Sequence, residues 1–292
     1  MRDKPTPASG QYFAIPGLPL LTLEGRDAVR FAQAQFMNEV AGLAAGHWQW
    51  NGWLTPKGRL IALFALLRLD AESLLLLPVG EIDPAAFAAR LQGFVFRSKL
   101  SIRVRDDLHV SGSCSAPASA EGARFAGTAT DRIELDMGGE GGARTLAISA
   151  EPAPAADPEA WLRWRQFDLA HGLPRLPQAQ LEQWTPQQLS LERLKAFSVG
   201  KGCYPGQEIV ARTHFLGQAK RGLARFAGAA GGPGEVMPGT PDDAAGARAI
   251  GQLICAAGDE ALAVLPLDAG EGPFHCAGHA LTRLPLLDGL AR

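Results

Sequence analysis

Short apolar segments separated by Gly and Pro turns make up most of this chain, and only three segments have the apolar spacing of a helix. Two of the strand-like segments, 47–54 and 59–69, flank Thr55-Pro56-Lys57-Gly58, where Pro followed by Gly predicts a tight hairpin turn. Strands interleaved with helices and antiparallel hairpins predict an α+β fold of split βαβ units rather than a doubly wound parallel sheet. The other predicted strands before residue 150 are 18–23, 73–79, 100–104, 108–110, 132–135 and 145–148, and the predicted helices are 25–40, 85–96 and 159–171.

The last quarter of the chain has a different pattern, with short strands between Gly/Pro turns and no helical spacing. This pattern is typical of a small barrel or sandwich. We therefore expect an α+β region at 11–215, which a Pro/Ala linker near 150–158 can divide into two subdomains, followed by a C-terminal β-barrel domain at 216–292. The strands predicted in that domain are 221–226, 249–256, 261–266 and 279–284.

Charge and cysteine content limit the classes of protein to which the chain can belong. The formal net charge is -2 and the pI about 6.3, so a basic nucleic-acid-binding domain is not indicated, and any contact with RNA would need a local patch. No apolar run reaches the roughly 20 residues of a membrane span, so we expect a cytoplasmic protein without a membrane partner. The four cysteines form no CxxC pair and are expected to be free thiols.

One segment, between residues 197 and 215, combines helix-breaking glycines and a proline with many kinds of polar side chain. We expect an ordered loop that carries the thiol of Cys203, the cation of Lys201, the phenol of Tyr204, and the amide and carboxylate of Gln207 and Glu208. A neighbouring ammonium group and the N–H groups of a glycine turn would both favour a thiolate at Cys203. The alternative is a turn that displays polar residues to water.

Three aromatic residues, Trp161, Trp164 and Phe167, recur every third position in the predicted helix 159–171. Such a stripe usually packs in a core, and a tryptophan is a ligand platform only where it borders a pocket.

The loop has a sequence, Lys-Gly-Cys-Tyr-Pro-Gly-Gln-Glu at 201–208 followed by Val-Ala-Arg, that resembles the signature of the YgfZ family of folate-binding proteins. Eukaryotic relatives of that family are mitochondrial iron–sulfur assembly factors. Residues 23–28 and 54–59 also resemble the opening and the Lys-Gly hairpin of the family, and the resemblance extends over about 20–223. It implies the fold of the glycine-cleavage aminomethyltransferase, arranged around a central hole that binds folate, with tetrahydrofolate as the cofactor.

The resemblance also implies roles for individual residues. Cys203 corresponds to the family's central cysteine, and Trp164, counted back from Gly172, to a tryptophan that contacts folate; Leu18 stands where a second aromatic contact is expected. Folate has carboxylates at one end and a donor/acceptor edge at the other. The remaining cofactor-binding candidates are Lys57, Lys201 and Arg212 at the mouth of the pocket, Gln207 and Glu208 in its interior, and Tyr204 beside them.

An aminomethyltransferase of this fold has an aspartate soon after its hairpin glycine, whereas residues 59–64 contain no carboxylate. A conventional aminomethyltransferase is therefore not expected. The resemblance implies instead an accessory protein of iron–sulfur cluster assembly or repair, which supports tRNA modification through partner iron–sulfur enzymes such as tRNA-modifying enzymes, with Cys203 either ligating iron or exchanging sulfur. Two alternatives stay open: a folate-dependent one-carbon transferase or demethylase, and a non-enzymatic RNA-binding scaffold.

Overall fold

The computed structural model describes residues 10–215, 217, 219–228, 232–241 and 248–292. These residues form two five-stranded sheets, one closed barrel, four α-helices and two short 3₁₀ helices. The helices are α1 (Ala28–Gln35), α2 (Pro84–Gln92), α3 (Pro158–Ala170) and α4 (Gln207–Phe215), and the 3₁₀ helices are Gln178–Gln180 and Leu191–Leu194. The strands are β1 (Phe13–Ala14), β2 (Leu21–Glu24), β3 (His47–Leu54), β4 (Leu60–Arg68), β5 (Ser73–Val79), β6 (Ser101–Val104), β7 (His109–Ser113), β8 (Ala126–Gly127), β9 (Arg132–Asp136), β10 (Thr145–Ser149), β11 (Arg221–Ala227), β12 (Gly234–Pro238), β13 (Gly251–Ala257), β14 (Glu260–Pro266), β15 (Phe274–Cys276) and β16 (His279–Leu284).

The first sheet has the strand order β3-β4-β5-β2-β6, and its strands pair antiparallel. Its central strands are apolar on both faces, because side chains alternate between two cores. Trp48 and Trp50 belong to the larger core, which also contains residues of the second sheet and of α3, whereas Trp53 packs in a separate core with α1 and α2. The predicted hairpin forms as β3 and β4, and Gly58 lies in its turn with a φ of 69°.

The second sheet, in the order β1-β7-β10-β9-β8, is also antiparallel. Asp157 caps the N-terminus of helix α3: its side chain accepts a hydrogen bond from the N–H of Ala160, and Pro158 occupies the first turn. This helix packs between the second sheet and the barrel strands β13 and β14. It therefore connects the part of the molecule before residue 171 with the C-terminal part.

The C-terminal strands close into a barrel in the order β11-β14-β13-β12-β15-β16, which confirms the predicted small β-barrel. After β16 the chain returns to the larger core. Leu287 donates its N–H to the carbonyl oxygen of Ala170 at 2.8 Å, and the indole N–H of Trp50 donates to the carbonyl oxygen of Leu290 at 2.8 Å. The barrel residues Ile254 and Leu262 belong to the larger core as well, so the barrel and the region before it share packed side chains. None of the described helices is both long enough and apolar enough to cross a bilayer.

The largest difference from the predicted elements is α4, which occupies the second half of the segment predicted to be a loop. Breaking residues are confined to positions up to Gly206, which has a φ of 80°, so a helix can start at Gln207. Its Val210 is buried and holds it to the core. Helix α1 is also shorter than the predicted 25–40 and ends at Gln35, because Phe36 is extended.

Candidate functional site

The cysteine loop, which we define as residues 201–206, is held in place by the side chains of Tyr204, within it, and of Gln207, directly after it. Tyr204 is buried, its hydroxyl donates to the carbonyl oxygen of Ser198 at 3.3 Å, and burial raises its pKa to about 12. The Gln207 amide donates to the carbonyl oxygen of Lys201 at 3.2 Å. Cys203, in contrast, is exposed. A thiol is therefore presented to solvent on a rigid support.

Lys201 anchors this loop to the end of α1. Its ammonium group is buried and donates to the carbonyl oxygens of Gln33 at 2.6 Å, Phe36 at 2.5 Å and Asn38 at 3.0 Å. A helix C-terminus leaves such carbonyls without intrahelical partners and carries partial negative charge. Burial lowers the pKa of Lys201 to about 8, so the group is charged at neutral pH. All three of its N–H groups are used, so Lys201 is an interior anchor. The sequence had suggested a cation at the mouth of a pocket instead.

The cysteine loop lies directly on the hairpin turn. A Cβ atom on Gly206 would come within 2.7 Å of the carbonyl oxygen of Thr55 and 2.8 Å of the Cα of Gly58, and both glycines have positive φ. Only glycine permits this approach at both positions. Lys57 is exposed at the tip of the turn. The structure therefore places the turn that carries Lys57 against the loop, and a role of Lys57 at the mouth of a folate pocket stays a prediction.

Glu208 and Arg212 lie on the outer face of α4, where they form an exposed ion pair at 2.7 Å. The prediction of an interior position for Glu208 is therefore wrong. The residue of α4 that points into the protein is Val210. The carbonyl oxygen of Val210 accepts a hydrogen bond from the buried amide of Gln187 at 2.9 Å.

We expect Lys201→Met to lower the free energy of unfolding by about 2–4 kcal/mol, because three carbonyl oxygens lose their donor and stay largely inside the protein. Chemical denaturation measures this change. The exposed Lys57→Met is the matched control and should alter stability by less than about 0.5 kcal/mol. Equal stability of both variants would show that the anchor contributes nothing.

Trp164 is completely buried. A Cβ atom on Gly112 would approach its ring to 2.9 Å, Phe13 meets it edge-on at 6.0 Å between centroids, and the guanidinium carbon of Arg144 lies 4.1 Å from its centroid on the ring face. The core packing that the aromatic stripe predicts is thus observed. Contact of Trp164 with folate stays a prediction.

Arg144 is the centre of a buried stack of planar groups. Its guanidinium carbon lies 3.8 Å from the centroid of Phe167, which stacks on His171 at 4.0 Å between ring centroids. Arg144 also donates to a carboxylate oxygen of Asp168 at 2.8 Å, and the other oxygen of Asp168 accepts from Arg175 at 2.6 Å. Burial lowers the pKa of Arg144 to about 10, which leaves it charged at neutral pH.

A cavity of about 440 Å³ opens beside this stack, and we call it the arginine cavity. Within the described part of the chain, its walls contain no Asp or Glu, and three of their buried donors, Nη2 of Arg144, Nε of Arg163 and Nε1 of Trp164, have no hydrogen-bond partner. None of the loop residues lines this cavity. Its lining side chains that bear on ligand chemistry are Cys114, Arg144, Arg163, Trp164, Gln166, Phe167 and Arg225.

Known proteins resemble this chain in both sequence and fold. No family model matches it. The tRNA-modifying protein YgfZ of Vibrio vulnificus (strain YJ016) is 30% identical over 274 residues, which cover 88% of this chain and 80% of the relative. The chain belongs to the YgfZ family. An uncharacterized protein of Haemophilus influenzae is also 30% identical, over 74% of this chain and 73% of its own length. The YgfZ protein of Sodalis glossinidius is 26% identical over 77% of this chain and 72% of its own.

The fold of this YgfZ family member is that of an aminomethyltransferase. The glycine cleavage system aminomethyltransferase T from Bartonella henselae superposes with a TM-score of 0.70, covering 95% of this chain and 86% of that protein at 16% identity. This likeness confirms the fold that the signature loop implied.

Sequence reasoning missed the buried charges of this YgfZ chain, Arg144 and Asp168. One signal was available: Asp168 follows Trp164 by four residues and so shares its helix face. A carboxylate on a core stripe needs a buried partner. Nothing in the sequence identified Arg144 as that partner, because it lies in a Gly-rich segment more than twenty residues away. Among the residues that the structure describes, no three His, Cys, Asp or Glu side chains cluster as a metal site.

Proposed function

We propose that this YgfZ family member is a tetrahydrofolate-binding accessory protein that supports tRNA modification through iron–sulfur enzymes, with Cys203 as its working thiol. The observation that carries the proposal is an exposed cysteine on a loop that the buried Lys201 and Tyr204 hold in place. An exposed thiol on a rigid support can meet a partner protein without unfolding cost. The relatives named tRNA-modifying proteins support the tRNA role.

The arginine cavity has the chemistry to hold folate. Its volume of about 440 Å³ lies within the range of small-molecule pockets. Tetrahydrofolate is rich in acceptors, with carboxylates and carbonyl oxygens, and the cavity is rich in donors. Arg144 and Arg163, which each have a buried donor without a partner, would bind the oxygens, and Gln166 can both donate and accept toward a ring edge. When bound, tetrahydrofolate supplies a carrier of one-carbon units.

Cys203 has two chemical options, ligation of iron as the thiolate and nucleophilic exchange of sulfur. An iron–sulfur cluster takes about four protein ligands, so a client protein would supply the others. Because no loop residue lines the arginine cavity, the thiol and the folate would act at separate places on the molecule.

Methylene transfer of the aminomethyltransferase kind is not part of this proposal. Strand β4 follows Gly58 with an unbroken buried apolar run up to Leu67. No carboxylate is present there to manage protons during such a transfer.

A complementation experiment tests the tRNA role. We expect this chain to restore modified nucleosides made by iron–sulfur enzymes in a bacterium that lacks its own YgfZ relative, as measured by mass spectrometry of total tRNA. An aminomethyltransferase of the same fold, expressed equally, is the matched control and should not restore them. A well-expressed chain that restores no nucleoside would contradict the role.

A further inference from the structure

The turn between α2 and β6 displays an aromatic ring to solvent. Phe96 is 92% exposed, which makes it the most exposed large apolar side chain of the described residues. The turn itself is ordered: Phe94 donates its N–H to the carbonyl oxygen of Leu91 at 3.0 Å, and Phe96 donates to that of Phe94 at 3.1 Å. Phe94 packs edge-on against Trp53 at 5.6 Å between centroids. The ring of Phe96 is therefore held outward by a packed support.

Exposed cations lie on this turn and on the neighbouring start of α1. Arg97 and Lys99 follow it in the chain and are exposed. The carboxylate of Asp27 accepts the N–H of Lys99 at 2.7 Å and so brings the start of α1, with the exposed Arg26 and Arg30, alongside the turn. Arg30 pairs with Asp27 at 3.6 Å, whereas Arg26, Arg97 and Lys99 form no ion pair within the described ranges. We call Arg26, Arg30, Phe96, Arg97 and Lys99 the basic aromatic patch. Asp27 lies within it, and the exposed Glu72 borders it, since the carbonyl oxygen of Glu72 accepts the N–H of Gly25 at 2.9 Å.

The combination of an exposed ring with free cations fits nucleic acid better than protein. Unpaired bases stack on aromatic side chains, and neighbouring phosphates attract Lys and Arg. An acidic protein segment would pair with the cations but leave Phe96 in water. The whole chain carries a formal charge of -2, so this positive surface is local. We propose that the basic aromatic patch binds an unpaired stretch of RNA, such as a tRNA loop.

The patch lies at one end of α1 and the anchor of the cysteine loop at the other. Arg26 and Arg30 flank the start of the helix, and Lys201 binds carbonyls at its end. Eight residues of helix span about 12 Å. RNA on the patch would thus lie near a client enzyme docked at Cys203. This partner goes beyond the proposed function, in which the chain reaches tRNA only through enzymes.

Fluorescence anisotropy with a labelled single-stranded oligoribonucleotide and with an unmodified tRNA transcript tests the patch. Phe96→Ser should weaken binding about fivefold or more, since stacking is lost. The double variant Arg97→Ser/Lys99→Ser should lower the slope of log affinity against log salt by roughly 0.7 for each phosphate contact removed. Matched controls are Leu267→Ser, which removes an exposed apolar side chain from the barrel, and Lys220→Ser/Arg248→Ser, which removes two exposed cations. Both controls should bind RNA like the wild type.

Three results would overturn the proposal. The first is no RNA binding by the wild type at low salt, and the second is an equal loss of RNA affinity in the patch and control variants. The third is that polyglutamate competes for the patch as well as RNA does while Phe96→Ser leaves RNA affinity unchanged. Titration of the same variants with tetrahydrofolate separates this proposal from the proposed function. Patch variants that lose RNA but keep folate binding support the patch. A wild type that binds folate but no RNA refutes the patch and leaves the folate proposal standing.

Discussion

Asp168→Ala is expected to lower the free energy of unfolding by about 3–5 kcal/mol, because it leaves the guanidinium of Arg144 buried without its counter-charge. The side chain of Asp168 is fully buried, that of Arg144 is 2% exposed, and Arg175 loses the same partner. Arg144 also lies between Trp164 and Phe167, so its displacement would disturb both rings. Equilibrium unfolding in urea measures the loss.

Two further variants show whether the effect comes from the unpaired charge. Asp168→Ala/Arg144→Met removes both charges and should recover part of the lost stability. Glu208→Ala removes a carboxylate from an exposed ion pair and should cause no measurable change. A loss below about 1 kcal/mol in Asp168→Ala would mean that the stack does not stabilise the fold.

Cys203→Ala is expected to abolish the restoration of tRNA modification while the protein stays folded and binds tetrahydrofolate normally. The side chain is exposed, so its removal creates no cavity. It lies outside the arginine cavity, so folate binding should not change. The readouts are nucleoside mass spectrometry in the complemented strain, chemical denaturation, and calorimetry.

Thr282→Ala is the matched control, since Thr282 is exposed and lies outside both the cysteine loop and the arginine cavity. It should restore tRNA modification like the wild type. Full restoration by Cys203→Ala would remove the thiol from the mechanism. Loss of folate binding in Cys203→Ala would place the two sites together, against the separation that the structure favours.

Most strands could be predicted from the sequence because local rules decide them. Thr55-Pro56-Lys57-Gly58 specifies the hairpin, and the structure has β3 and β4 on either side of it. Asp157-Pro158 likewise specifies the start of α3. Helix α4 was not predicted, because the glycines and the proline before Gln207 suggested a loop whose end no local signal marked.

The candidate site was harder to predict, because tertiary contacts decide where a polar side chain goes. Lys201 and Lys57 are both lysines beside a glycine, yet one is buried against α1 and the other is exposed. The difference depends on carbonyls more than 160 residues away along the chain. The arginine cavity likewise joins the β9–β10 connection, α3 and β11, which no sequence spacing could bring together.

Calorimetric titration of the wild-type protein with tetrahydrofolate tests the central claim most directly. We predict saturable binding that Arg163→Gln weakens, because this variant removes a cation from the cavity wall, and that Arg212→Gln leaves unchanged, because Arg212 lies on the outer face of α4. Binding too weak to detect up to roughly millimolar tetrahydrofolate, which corresponds to a binding free energy weaker than about -4 kcal/mol, would contradict the claim.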